Sequence, residues 1–128
     1  MPVAREGSDD KRLANGLPPP STNQIVIKVS VLYPNQPGAR FDTAYYFTKH
    51  LPMVASKLGA AAKTTSVDQG VAGPTPGSPP AFVMLVHFTF ESISAFQAAY
   101  GPHAAEIMGD IPNYTSIEPI IQFSEVKV

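Results

Sequence analysis

Ala81-Phe82-Val83-Met84-Leu85-Val86-His87-Phe88-Thr89-Phe90 is nearly continuous apolar sequence. It reads as a strand covered on both faces, and so as the centre of a sheet. Upstream, Val71 to Pro80 (Val-Ala-Gly-Pro-Thr-Pro-Gly-Ser-Pro-Pro) has neither periodicity nor donors for a ladder and forms a loop. Before it, Lys63 to Gly70 is β-branched but polar on both faces, as suits a short edge strand.

Further toward the N-terminus, Asp42 stands at the N-cap of a helical run ending at Leu58-Gly59. Pro52 within that run lacks an N–H and crowds the carbonyl of Thr48, so a kink or restart is expected there. Ile25 to Tyr33 alternates, with Ile25, Ile27, Val29, Val31 and Tyr33 on one face, and Pro34-Asn35-Gln36-Pro37-Gly38 breaks it. Downstream of the central run, Ser92 caps a second helix through Tyr100. Gly101-Pro102 interrupts that helix before His103 to Met108 resumes the pattern. Ser116 to Lys127 alternates again, and Pro119 confines it to an edge.

The order is strand, helix, strand, strand, helix, strand. This predicts an α+β, ferredoxin-like βαββαβ domain with a four-stranded antiparallel sheet over residues 25–128. Residues 1–24, with Asn15-Gly16 and Pro18-Pro19-Pro20, are too polar and interrupted to bury a face and read as an extension. Helices on one side leave the other sheet face open. An apolar face of that size calls for a cover, and a homodimer is the expected one.

Composition narrows the function. A 44% hydrophobic and 15% charged chain of 128 residues is that of an ordinary packed domain. Nine basic residues against ten acidic ones leave no positive surplus for nucleic acid or an anionic membrane face. With no apolar run of spanning length and no secretory leader pattern, the expectation is a cytoplasmic protein. Without cysteine, chemistry must use oxygen and imidazole.

Tyr46, His50 and Val54 follow at i, i+4 and i+8 and share a helix stripe. His50, close to the Pro52 gap, is the candidate proton acceptor or donor, with Tyr46 beside it; its plainer role is to hydrogen-bond a freed carbonyl. Tyr33 is placed to orient a substrate oxygen, and Tyr45, one residue off the stripe, is a weaker neighbour. His87 projects from the central strand and fits either a satisfied core histidine or a ligand contact. His103 and Tyr114 are further candidates for contact, although turn chemistry explains both. Asp42 is a cap first. The histidines lie 37 and 16 positions apart, with no paired-ligand spacing for a metal. There is no glycine-rich phosphate loop and no Gly-x-Ser-x-Gly elbow.

Lys28-Val29-Ser30-Val31-Leu32-Tyr33-Pro34, then Phe41-Asp42, Tyr45-Tyr46 and Lys49-His50-Leu51-Pro52, resembles the opening of EthD-like proteins. Phe96 to His103 and Asp110 to Thr115 are similar to the same family. The resemblance implies a dimeric α+β barrel, in a family linked to degradation pathways. It also implies relatives that act as cofactor-free cyclases, decarboxylases, isomerases or small mono-oxygenases, and others that bind haem. Two functions remain open from the residues. One is a cofactor-free enzyme in which His50 moves a proton on a small hydrophobic carbonyl or phenolic compound held by Tyr46 and Tyr33. The other is a binding or accessory protein that uses the same pocket without turnover, for instance in support of an oxygenase.

Overall fold

A computed structural model describes residues 25–128; the expected N-terminal extension lies outside them. Four strands, β1 (Ile27–Pro34), β2 (Thr64–Gln69), β3 (Phe82–Phe90) and β4 (Ile120–Glu125), form one antiparallel sheet. Their order is β2-β3-β1-β4. The apolar run is thus central, and the polar 64–69 segment and the Pro119-preceded strand are the two edges.

Register decides which side chains meet the helices. Val29 pairs with Phe88 and Phe123, and Val31 with Val86 and Ile121, so these residues share one face. On β3, Met84, Val86, Phe88 and Phe90 are buried on that side. Val83, Leu85, His87 and Thr89 point the other way and are only half-buried. The run is therefore covered by helices on one face rather than two. Its open face is mixed, with Leu32 and Leu85 at one end and Lys28, Ser30 and His87 at the other. A continuous apolar run reports that both faces are non-polar, not what lies against them.

The first helical region comprises α1 (Thr43–Tyr45), a π-turn (Tyr46–His50) and α2 (Leu51–Leu58). Asp42 caps it, its carboxylate accepting from Tyr45 N at 3.1 Å. The distortion expected at Pro52 is present just before it. The chain widens so that Leu51 N–H reaches the Tyr46 carbonyl five residues back, and helix continues through the proline. Gly59 ends α2 at a φ of 59°, a conformation that costs glycine little.

The second region runs through α3 (Ile93–Tyr100), a 3₁₀ turn (Gly101–His103) and α4 (Ala104–Asp110). Ser92 Oγ caps α3 by accepting from Ala95 N at 3.0 Å. Another 3₁₀ turn (Ile111–Asn113) leads into a stretch zipped against the start of the first helical region. Phe41 bridges Thr115, Asp42 N–H donates to the Tyr114 carbonyl, and the Arg40 guanidinium reaches the Pro112 carbonyl at 2.7 Å. This clasp carries Tyr114 under the π-turn. Among the described residues no helix is long and apolar enough to cross a membrane.

The core and the caps should separate in magnitude. Phe90→Ala, at a fully buried position, is expected to cost about 3–5 kcal/mol. Asp42→Ala, which removes one cap, should cost about 1 kcal/mol. Urea unfolding of the two variants against wild type measures both.

Candidate functional site

Between the sheet and the helices lies a cavity of about 250 Å³. Its floor is Val29, Val31, Val86 and Phe88, and its roof is Leu51, Val54, Leu58 and Ile107. Phe96 and Tyr100, stacked with centroids 5.0 Å apart, line it together with Phe123, which meets Phe96 edge-on. Met108, Ile121 and Phe123 are exposed as well as lining, which places the mouth between α4 and β4. Among the described residues no lysine, arginine, aspartate or glutamate lines it; Tyr33, Tyr46, Tyr100 and His50 are the lining residues that carry a hydroxyl or imidazole.

His50 is buried, and both of its ring nitrogens face protein groups. Nδ1 lies 2.9 Å from Asp110 Oδ2, and Nε2 lies 3.4 Å from the Tyr114 hydroxyl. The ring stacks on Tyr46, with centroids 5.6 Å apart and 17° between planes. Burial lowers the imidazole pKa below its ordinary value, although the Asp110 carboxylate pulls it back up. At neutral pH the ring is therefore uncharged, with Nδ1–H donating to Asp110 and Nε2 carrying the lone pair.

Asp110 closes α4, and its carboxylate collects donors from three elements. The Tyr45 hydroxyl donates to Oδ1 at 2.6 Å, Asn113 Nδ2 to the same oxygen at 2.9 Å, and His50 to Oδ2. Burial alone would raise this carboxyl, but the three hydrogen bonds outweigh it and hold it below the usual carboxylate range. Deeper in, the Tyr33 and Tyr114 hydroxyls lie 2.7 Å apart. Burial pushes the Tyr33, Tyr46 and Tyr114 phenols up, with mutual interactions adding to the shift of the last two. All three stay protonated, each able to donate and accept.

Of the residues singled out from sequence, the structure brings His50, Tyr46 and Tyr33 together on the cavity wall. Tyr114 joins them, but from beneath: it is fully buried, not at a cavity mouth, and it meets the cavity residues only through its hydroxyl and ring. Tyr45 does not line the cavity. It faces an outer groove with Lys49, Glu106 and Asn113 and acts on His50 through Asp110. His87 lies on the opposite sheet face, bonded to Ser30 at 2.7 Å, because the parity of β3 sends it away from the helices. His103 ends its 3₁₀ turn, half-buried and outside the cavity lining. His50 does not bond a carbonyl freed by Pro52; its partner is Asp110.

Sequence reasoning missed Asp110 as a functional group. Its one local signal is that an acid at a helix C-terminus opposes the helix dipole. Among the described residues no group of three or more histidines, aspartates or glutamates could hold a metal ion. Haem does not fit the site either. An axial bond would have to come from His50 Nε2, which faces the fully buried Tyr114 hydroxyl and could be reached only by displacing Tyr114.

Residues 39–118 match the EthD domain family. An EthD-like protein from Ralstonia eutropha is similar in structure at 51% sequence identity, with a TM-score of 0.78, over 82% of this chain and 95% of that one. An EthD family protein from Bacillus halodurans has a TM-score of 0.53 at 15% identity, over 80% and 99% of the two chains, a likeness of fold. No curated protein matches the chain.

The pair of opposed effects on His50 has a sign. Its folded pKa lies below 6.5, so the native state binds fewer protons than the unfolded one. The resulting stability is fully present above the unfolded pKa and falls as pH drops through the folded value. Asp110→Asn removes the carboxylate that raises the imidazole pKa and should lower it further. An NMR titration of the His50 Cε1 proton reads both. A wild-type midpoint above 6.5, or an upward move in the variant, would contradict the assignment.

Proposed function

Because the chain belongs to the EthD domain family, we propose that its cavity takes a small, uncharged, largely hydrophobic carbonyl or phenolic compound on which His50 acts as general base and then general acid. One observation carries this reading: a neutral imidazole, oriented by a carboxylate, stands in the wall of an otherwise apolar cavity with its Nε2 lone pair turned to the Tyr114 hydroxyl just behind that wall. The carboxylate selects the tautomer and stabilises the imidazolium formed when the proton arrives. The walls are apolar, and among the described residues no lining cation offers a counter-charge to a carboxylate or phosphate ligand. Enolisation, and with it cyclisation, decarboxylation or isomerisation, needs no more equipment than this. No cofactor enters the proposal.

A second reading is a binding or accessory protein. It draws on the mutual satisfaction of the Tyr33 and Tyr114 hydroxyls, which leaves few unpaired groups for a substrate. The two readings part on turnover. With 2-tetralone as an enolisable probe, exchange of its α-protons for deuterium is followed by NMR. Wild type should accelerate exchange, and His50→Gln should lose about 10²–10⁴-fold of that acceleration. Retention of such ketones without any exchange would favour the binding reading.

The open sheet face, half-buried at Leu32, Val83 and Leu85, supports pairing with a second copy through that face. Sedimentation at micromolar concentration should then give twice the 13.6 kDa chain mass. A single-chain mass would refute the pairing.

A further inference from the structure

The proposed base is not positioned to touch its substrate. The imidazole of His50 spends Nδ1 on Asp110, and its Nε2 faces the Tyr114 hydroxyl. Its faces are occupied as well, by the stacked Tyr46 ring and by the Tyr114 ring at a centroid distance of 4.5 Å. Both ring nitrogens are thus turned toward protein groups. Tyr114 is fully buried and does not line the cavity, but its hydroxyl is 2.7 Å from that of Tyr33, which does.

We infer that the proton path between ligand and base runs through these two phenols, with Tyr33 as the group that touches an acidic hydroxyl of the ligand and Tyr114 as the link to His50 Nε2. The inference rests on the general-base reading above. The ligand O–H breaks as its proton passes to Tyr33 Oη; the Tyr33 proton passes to Tyr114 Oη; the Tyr114 proton passes to His50 Nε2. Both phenols end as they began. The net change is a ligand oxyanion and an imidazolium beside the Asp110 carboxylate, with no oxidant or reductant required.

Phenols suit the task because each donates and accepts at one atom, and burial keeps both protonated. The 3.4 Å gap to Nε2 is long for a hydrogen bond, as catalytic contacts commonly are before a ligand is in place. The groups that face His50 are Asp110 from α4, Tyr46 from its own turn and Tyr114 from beyond the last 3₁₀ turn. Behind Asp110 stand Tyr45 and Asn113, with Lys49 and Glu106 along the outer groove. Among the described residues that line the cavity, only the tyrosines and His50 are titratable.

The probe is 4-nitrophenol, whose absorption distinguishes phenol from phenolate, titrated against pH while bound to the full chain. In wild type the bound probe should ionise at lower pH than the free one by about one unit, a tenfold change in its ionisation constant. Tyr114→Phe keeps the ring, alters no cavity-lining residue and removes one hydroxyl. Without that hydroxyl no hydrogen-bonded chain joins the probe oxyanion to the imidazolium, so the shift should be lost. His50→Gln should lose it too.

A wild-type shift in Tyr114→Phe together with its loss in His50→Gln would overturn the relay and leave the general-base reading intact. A shift that survives both substitutions would overturn both. No binding of the probe to wild type would overturn the phenol contact and the relay with it. If Tyr114→Phe fails to fold, Tyr33→Phe cuts the same path at its cavity end, and the same two outcomes decide.

Discussion

The Asp110 carboxylate is the point on which the site turns. It closes α4, where the unpaired carbonyls of the helix end make a negative charge unwelcome. It is held there by hydrogen bonds from Tyr45, Asn113 and His50, contributed by α1, by the turn after α4 and by the π-turn. Charge-assisted bonds of this kind are roughly twice as strong as neutral ones, and three of them outweigh both the burial and the dipole. The carboxylate thereby fixes the approach of two helical regions to each other and the tautomer of the histidine between them. A local rule is broken, and the compensation is a specified site.

Pro52 supplies the second constraint. Having no N–H to return to Thr48, it makes an ordinary helix at that point carry an unpaired carbonyl, and the chain responds with one wide turn from Tyr46 to His50. The change re-aims His50 without ending the helix. Its ring stays stacked on Tyr46 while Nδ1 reaches across to α4. Proline and carboxylate act together, one freeing the direction of the side chain and the other capturing it.

Most of the fold was legible because it is written in short-range terms. The caps at Asp42 and Ser92, the polar edge segment 64–69 and the break at Gly101-Pro102 each depend on a few neighbouring residues, and each reads correctly. The cover of the central strand was not legible, since Val83, Leu85 and Met84 look alike until register assigns them to faces. The site divides in the same way. The stripe of Tyr46, His50 and Val54 follows from helical spacing, and all three line the cavity. Tyr114 and Asp110 lie more than 50 residues from His50, and their roles depend on the clasp between residues 40–42 and 112–116. His87 had the right chemistry on the wrong side of the sheet: parity separates it from Met84, Val86 and Phe88, but packing decides which of the two faces meets the helices.

The arrangement also bears on why a lowered imidazole pKa is compatible with a base. Burial makes an isolated imidazolium costly, and the cavity wall beside it is built from apolar side chains such as Leu51, Val54 and Phe88. Transfer of a proton from a ligand within the same enclosure does not change its net charge. The carboxylate is already negative, the imidazole becomes positive and the ligand becomes negative, so charges of opposite sign stand next to each other. Attraction between them is stronger in an apolar surrounding than in water. In the proposed relay the two phenols would add a spacing that direct contact lacks, holding the new oxyanion away from Asp110 while its proton passes toward it. An apolar cavity of this kind therefore opposes a charge that arrives from solvent and tolerates one that is made inside it.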